Sequence, residues 1–433
     1  MLVTMKTWFR RSTKSALRTL ENAYRIEPSA SRQVRWLDHD GRKGLAYLDS
    51  GSCLVDGVED QERLTRAQAS GAFSAERASF PLEISSDATS LVATAPIAWR
   101  VGERIDSEGV CEVDDAMIWV MRPSTLRMRY KQERKAIVLN RHYRPVRSPG
   151  LPHLWVFMTS YDWSRLRNLR KKAVCVSERV AVLGNYGFDT RNYYHFWADA
   201  MADLWFLRRQ LPESRMPKRY LIHFAGLPWQ WEILEMCGIK RAQVIPMLDH
   251  EFLKVETALV PVRDKGAESL PSWLAGAIRR VAGWQWPRSS SSRRIYISRA
   301  DALRRRVTNE QAVCERLREA DFQILTLSGL SVAQQQALFA SASVVCAPHG
   351  AALTNLVWCR PGTLVVDILP SSYLVPCFQE LSRQSGLEYL PVICPPSTSD
   401  GRSFEHDITV PLQDIDAICR YLVSEGEARV SSQ

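Results

Sequence analysis

SVAQQQALFASASVVCAPHGAALTNLVWCRPGTLVVDILP, residues 331–370, carries the period of an α/β fold in forty residues. Ser331, with Gln334 three positions on, is a capping box that opens a helix. Ser343 to Ala347 and the TLVVDILP run are short, β-branched and apolar, as buried strands are. Between them AALTNLVWC reads as a helix that Pro361-Gly362 closes. Helix, strand, helix and strand joined by short connections are the repeat of a parallel sheet. The core pattern breaks once, at Pro348-His349-Gly350-Ala351-Ala352, where the first strand hands over to the second helix.

The same alternation extends upstream. RIYISR (294–299), NEQAVCERLREA (309–320) and FQILTL (322–327) precede the quoted stretch. An earlier series comprises the strand RVAVLGNYG, the long helix NYYHFWADAMADLWFLRRQL, the strand KRYLIHF, a helix from Pro228, and the strands AQVIPM and FLKVETALVPV. The Ser-rich, charged RSSSSRR (288–294) between the two series reads as a linker or a surface loop. The expected organisation is a β-rich region over 1–150 whose role is not legible, Rossmann-like domains over 151–287 and 293–400, and a C-terminal helix and tail over 401–433 packing back on the first domain. Two such domains predict a ligand in the cleft they face.

Composition narrows the partners. The chain has 433 residues, 45% hydrophobic and 24% charged, enough for several cores and not the composition of a disordered chain. Its net charge of +10 favours an anionic partner. Nucleic acid is not expected, because no dense basic stripe or recognisable module accompanies the charge. Ten cysteines run from Cys53 to Cys419 without a C-x-x-C pair, the usage of reduced core thiols rather than of zinc or disulfide frameworks. No apolar run nears the roughly 20 residues of a membrane span. MKTWFRRSTKSALRTL at the start is a basic solvated helix or, with Trp8, Phe9 and Leu17 on one side, an amphipathic helix on an acidic membrane surface.

The break at His349 has a chemical reading. Gly350 and Ala351 open a helix with little side-chain bulk, leaving backbone N–H groups and the positive helix end accessible to a phosphate. His349 beside them can bond a pyrophosphate oxygen, or cap the helix within a purely structural turn. Ser298-Arg299 ends another strand at the same edge, followed by Arg304-Arg305-Arg306 and a helix start at Thr308 or Asn309. Arg299 is the favoured phosphate ligand, and the Arg run reads as a solvated loop. Asp367 closes a third strand there, where a carboxylate can accept both ribose hydroxyls or pair with an arginine. In the first series Asn192, His195, Asp199 and Asp203 form a polar stripe on an otherwise apolar helix. His195 and Asp199, one turn apart, can share a proton as a general base and its partner do, or knit two domains together.

Four of these blocks, NYYHFWADAMADLW, RIYISRADALRRRVTNE, LSVAQQQALFASASVVCAPHGAALTNLVW and GTLVVDILP, resemble the family 61 glycosyltransferases in order and spacing. The resemblance covers about 185–370. It implies a GT-B fold, with two Rossmann-like domains facing a cleft, and inverting transfer from a nucleotide-sugar, usually UDP-linked; no metal or other cofactor is expected if the helix N-terminus at His349-Gly350 and Arg299 neutralise the leaving group. By the resemblance Arg299, Asn309, Glu310, His349, Gly350 and Asn355 fall on nucleotide-binding motif positions. His195 and Asp199 fall on the family's histidine–aspartate motif, and Asp367 stands where many members have Glu. With neither a signal sequence nor an anchor in view, the analogy is to cytoplasmic, possibly membrane-peripheral, bacterial enzymes that build capsule, lipopolysaccharide or exopolysaccharide on glycan or lipid-linked acceptors. Three readings compete: a GT-A enzyme with a metal on Asp38-His39-Asp40, a non-catalytic binder of nucleotide or glycan, and a GT-B-like epimerase or phosphotransferase.

Overall fold

FLKVETALVPV forms the strand Phe252–Val262, on which the first sheet is built. Its residues are buried on both faces after Thr257, as a central strand requires. One neighbour, Val174–Leu183, runs parallel to it and leads on through Arg219–Ile222 to Val244–Pro246, all parallel. The other neighbour, Gly109–Met121, is antiparallel, in register from Phe252↔Trp119 to Val262↔Gly109. The strand Lys135–Leu139 and the short strand Val34–Leu37 both pair antiparallel with Gly109–Met121. The sheet is therefore mixed. It also corrects the expected boundary at 150, because a strand from the β-rich region lies inside the sheet of the first α/β series. Cross-strand burial of Val113, Ile118, Val180, Val255 and Val260 makes the region one core with that series.

In this computed structural model the described residues are 34–37, 43–44, 82–84, 91–93, 109–121, 135–141, 173–184, 191–263, 270–288, 292–397 and 406–431. The basic N-terminal stretch and Asp38-His39-Asp40 lie outside them. The chain divides into two units, residues 1–66 with 104–265, and residues 67–103 with 266–433.

The second unit holds a five-stranded parallel sheet in the order Phe322–Leu325, Arg293–Ile297, Ala342–Pro348, Leu364–Pro370, Glu388–Cys394. In chain order this is 2-1-3-4-5, a doubly wound sheet whose direction of winding reverses between Arg293–Ile297 and Ala342–Pro348. Ligands of such sheets bind at the carboxyl ends of the strands where that reversal occurs. The Ser331–Gln334 capping box forms as read, with Gln334 N donating to Ser331 Oγ at 3.1 Å and Ser331 N to Gln334 Oε1 at 2.8 Å.

Three expectations change here. AALTNLVWC is not an α-helix but a 3₁₀ helix, Ala351–Trp358. Thr354 Oγ1 donates to Ala351 O and Asn355 Nδ2 to Ala352 O, three residues back in each case, so side chains favour the tighter turn. Of residues 401–433, expected to pack on the first unit, the described part of the helix Leu412–Ser431 contributes to the core of the second. Ile415, Ile418 and Leu422 share a core with Val313, Leu317, Val344 and Val366 of the second. The linker at 288–294 is no unit boundary either, since the helix Leu274–Val281 already belongs to the second unit and Arg279 Nη1 donates to Val357 O at 3.0 Å.

Burial pushes the Cys111 and Cys237 thiols up to about 12. They are core residues rather than nucleophiles. Among the described residues no helix is long and apolar enough to cross a membrane.

Candidate active site

The expected long helix after Asn185 is interrupted. Asn192 caps it, its Oδ1 accepting from Tyr194 N at 2.9 Å. After one α-turn, Tyr193–His195, the backbone widens into a π-helix, Phe196–Met201, and returns to α at Ala202–Gln210. Each residue absorbed by such a bulge turns everything beyond it by about 100° relative to a straight helix. The polar stripe therefore splits. His195 Nδ1 stays bonded to Asp199 Oδ2 at 2.9 Å. Asp203 turns inward instead and pairs with the fully buried Arg263, whose Nε donates to its Oδ1 at 2.8 Å. The side chain of His195 is 21% exposed and that of Asp199 only 6%. The histidine is the member of the pair that meets solvent, and the carboxylate behind it holds the ring.

In the second unit the predicted residues sort into two groups. Several are engaged in holding the protein together. Asn309 clamps Val410 through both ends of its amide, donating to Val410 O at 2.8 Å and accepting from Val410 N at 3.0 Å. Glu310 accepts from Tyr296 OH at 3.0 Å. Asn355 is fully buried, accepts from Trp358 Nε1 and donates to Gln335 Oε1, each at 3.0 Å. Ser298 Oγ closes a small turn by accepting from Ala300 N at 3.1 Å. Asn309, Glu310 and Asn355 thus all make hydrogen bonds within the protein.

The other group meets at the switch point of the sheet. His349 leaves the strand Ala342–Pro348 and Arg299 leaves the adjacent Arg293–Ile297. The Arg299 guanidinium lies directly over Gly350, where a Cβ would collide with Nη1 and come within 3.0 Å of Cζ. Gly350 is extended, with φ 178°, so close approach and not backbone conformation demands the glycine. The small residues of the break thus make room for an arginine.

Burial, and then the neighbouring Arg305, push the Arg299 guanidinium down to about 10. Burial also lowers Arg305, whose guanidinium lies 5.3 Å from the Tyr373 ring centre. The Arg run is therefore not uniformly solvated: Arg306 pairs with Asp407 at 3.1 Å, Arg304 is exposed, and Arg305 turns in. Arg305 is the residue sequence reading missed. Its backbone is left-handed, φ 53°, a conformation that costs a non-glycine residue about 1–3 kcal/mol and gathers at functional sites.

Asp367 does not face an arginine alone. It is fully buried, and its Oδ2 accepts from Tyr389 OH at 2.8 Å and pairs with His349 Nδ1 at 2.9 Å. Tyr389 and Asp367 thereby fix the His349 ring with Nδ1 inward, leaving Nε2 as the nitrogen for other partners. Phe378 and Tyr373 pack against the same ring, with centroids 4.8 and 6.0 Å away. Asp367 Oδ1, Arg299 Nε and His406 Nε2 are buried with no hydrogen-bond partner. Native folds leave few such atoms, and two of these flank the switch point.

The second unit is thus a doubly wound sheet with two desolvated guanidiniums at its switch point, and the first carries a half-buried histidine–aspartate dyad. The sequence points to a family: residues 193–366 match the Glycosyltransferase 61 family, which supports membership of it. The matched segment contains the dyad, Arg299, Arg305 and the His349-Gly350 turn; Asp367 is the first residue beyond it. No curated protein sequence matches the chain. The family match implies glycosyl transfer as the general activity.

Proposed function

We propose that the protein is an inverting glycosyltransferase that moves a sugar from a UDP-linked donor to a hydroxyl of a glycan or lipid-linked acceptor, in cytoplasmic synthesis of a bacterial surface or secreted polysaccharide. The observation that carries the reading is the desolvated pair Arg299, which lies over Gly350, and Arg305, which lies against Tyr373. Two guanidiniums brought together at a desolvation cost are matched by a diphosphate, whose oxygens accept from the planar fork of arginine. The division of chemistry, cations on the second unit and the dyad on the first, supports the expectation of a GT-B enzyme.

The transfer is one displacement. The acceptor hydroxyl gives its proton to His195, oriented by Asp199 through Nδ1, as its oxygen bonds to the anomeric carbon. The bond from that carbon to the diphosphate oxygen breaks with its electron pair, and the configuration inverts. The charge that gathers on the leaving UDP is stabilised by Arg299, Arg305 and the His349 Nε2 that Asp367 and Tyr389 hold in place. With this positive charge supplied by the protein, the reading expects no dependence on a divalent metal. Asp367 in this scheme positions His349 rather than contacting the ribose.

Thermal unfolding against UDP, GDP, CMP and ADP, with magnesium or EDTA, tests it. A ligand at a hundred times its Kd adds about 2.7 kcal/mol, a shift of several degrees. UDP is expected to raise the midpoint equally in both conditions. No response to any nucleotide would remove the donor site, and an EDTA-sensitive response would require a metal.

A further inference from the structure

The buried cation of the first unit has no place in the scheme above, and its bonds lead straight to the dyad. Arg263 follows the strand Phe252–Val262 and its side chain is 1% exposed. Nε donates to Asp203 Oδ1 at 2.8 Å. Nη2 donates to Ala198 O at 2.8 Å and to Asp199 O at 3.0 Å. Both carbonyls belong to the π-helix, where the backbone bonding reaches to the fifth residue, as Ala202 N does to Trp197 O. A π stretch is a wide, poorly bonded turn, and one guanidinium here takes two of its adjacent carbonyls. The opposite side is held by Gly184, whose N donates to Asp203 Oδ2 at 3.0 Å. Gly184 has φ 64°, and a Cβ there would stand 3.0 Å from the Cβ of Ala200, inside the same π stretch.

We infer that Arg263, clamped by Asp203 and Gly184, is a positioning residue that sets where the Asp199 carboxylate holds His195. The inference rests on reading that pair as the base. Asp203 neutralises Arg263, so what the arginine supplies to the dyad is place rather than charge. A lysine cannot copy it, because a single ammonium lacks the planar fork that reaches two carbonyls and a carboxylate together.

The test compares Arg263→Lys, Asp199→Asn and the double variant in steady-state transferase assays on the full chain. A displacement of about 1 Å in a reacting group costs on the order of a hundredfold. Arg263→Lys is expected to lower kcat by about that factor with the donor KM and the UDP-induced shift in midpoint unchanged. In the Asp199→Asn background the same substitution is expected to cost less than about threefold, because both changes act through one group. A full additional hundredfold loss, or wild-type kcat in Arg263→Lys, overturns the inference and leaves the base reading standing. Wild-type kcat in Asp199→Asn alone overturns the base reading and this inference with it. Gly184→Ala, which presses on the π stretch from the other side, is expected to show the same kcat loss at constant donor KM. If Arg263→Lys loses its cooperative unfolding transition and Gly184→Ala keeps wild-type kcat, Arg263 is a determinant of the fold and the inference fails.

Discussion

Arg263, fully buried, and Arg299, half-buried, are both cations at strand ends, and the two units treat them in opposite ways. Arg263 has a carboxylate and two carbonyls within 3.0 Å. Arg299 has one carbonyl, Arg304 O at 3.0 Å, an orphaned Nε, and another guanidinium for a neighbour. A matched buried charge is structure, since removing its partners leaves several kcal/mol uncompensated. An unmatched one is a standing cost that a ligand can relieve. The contrast separates a fully bonded guanidinium beside the His195–Asp199 dyad from an under-bonded one at the switch point of the second sheet.

The contrast breaks most visibly at the dyad. His195→Ala is expected to lower kcat by about 10²–10⁴-fold, with the UDP-induced change in midpoint at its wild-type value. Steady-state kinetics and thermal unfolding on one preparation check both halves; loss of the UDP response would join the two functions that the comparison keeps apart.

Arg299→Met sharpens the other side. Loss of a charged hydrogen-bonding partner should weaken UDP by about 1.5–3 kcal/mol, roughly ten- to a hundredfold. The same variant should unfold at a higher temperature without ligand. Burial holds the folded guanidinium near 10, below its ordinary 12.5. Between those values the unfolded chain binds more protons than the folded one, so stability rises with pH; below about 10 both states are charged and the desolvation cost is fully present. Methionine removes that cost at neutral pH. A lower midpoint than wild type would show Arg299 to be matched after all.

Gly350→Ala is expected to act more mildly. The extended backbone accepts alanine, but the new Cβ must displace the Arg299 guanidinium. Titration calorimetry should find UDP weakened by about tenfold, or 1.4 kcal/mol, with the unfolding transition still cooperative. Ser331→Ala should be the smallest change: loss of the cap costs about 1 kcal/mol, read as a lower denaturation midpoint, with kcat and UDP affinity unaltered.

Much of the second unit was legible because its signals are local. The capping box at Ser331, the β-branched strand runs and the break at Pro348-His349-Gly350 each span a few residues, and the strands formed where they were read. Positions where one residue answers to distant ones were not legible. Arg305 and Arg306 are neighbours of the same type; only Asp407, about a hundred residues on, decides that Arg306 is drawn outward to it and Arg305 is not. The stripe Asn192, His195, Asp199, Asp203 assumed a constant helical period. The π stretch breaks that period, and what sustains it is Arg263, sixty-odd positions away. Asp367 showed its position at a strand end but not its partners, since Tyr389 reaches it only because Leu364–Pro370 and Glu388–Cys394 are adjacent in the sheet.

By itself, then, the sequence determined the alternation of strands and helices, the resemblance to family 61, and the pairing of His195 with Asp199 one turn apart, because propensity, capping and short-range spacing act within a turn or two of chain. Only the tertiary structure decided that the β-rich region shares the first sheet, that the C-terminal helix completes the second core, and which of several arginines are matched. Those outcomes depend on burial and on which charges meet across the fold, and desolvation makes each meeting worth several kcal/mol whatever the distance along the chain.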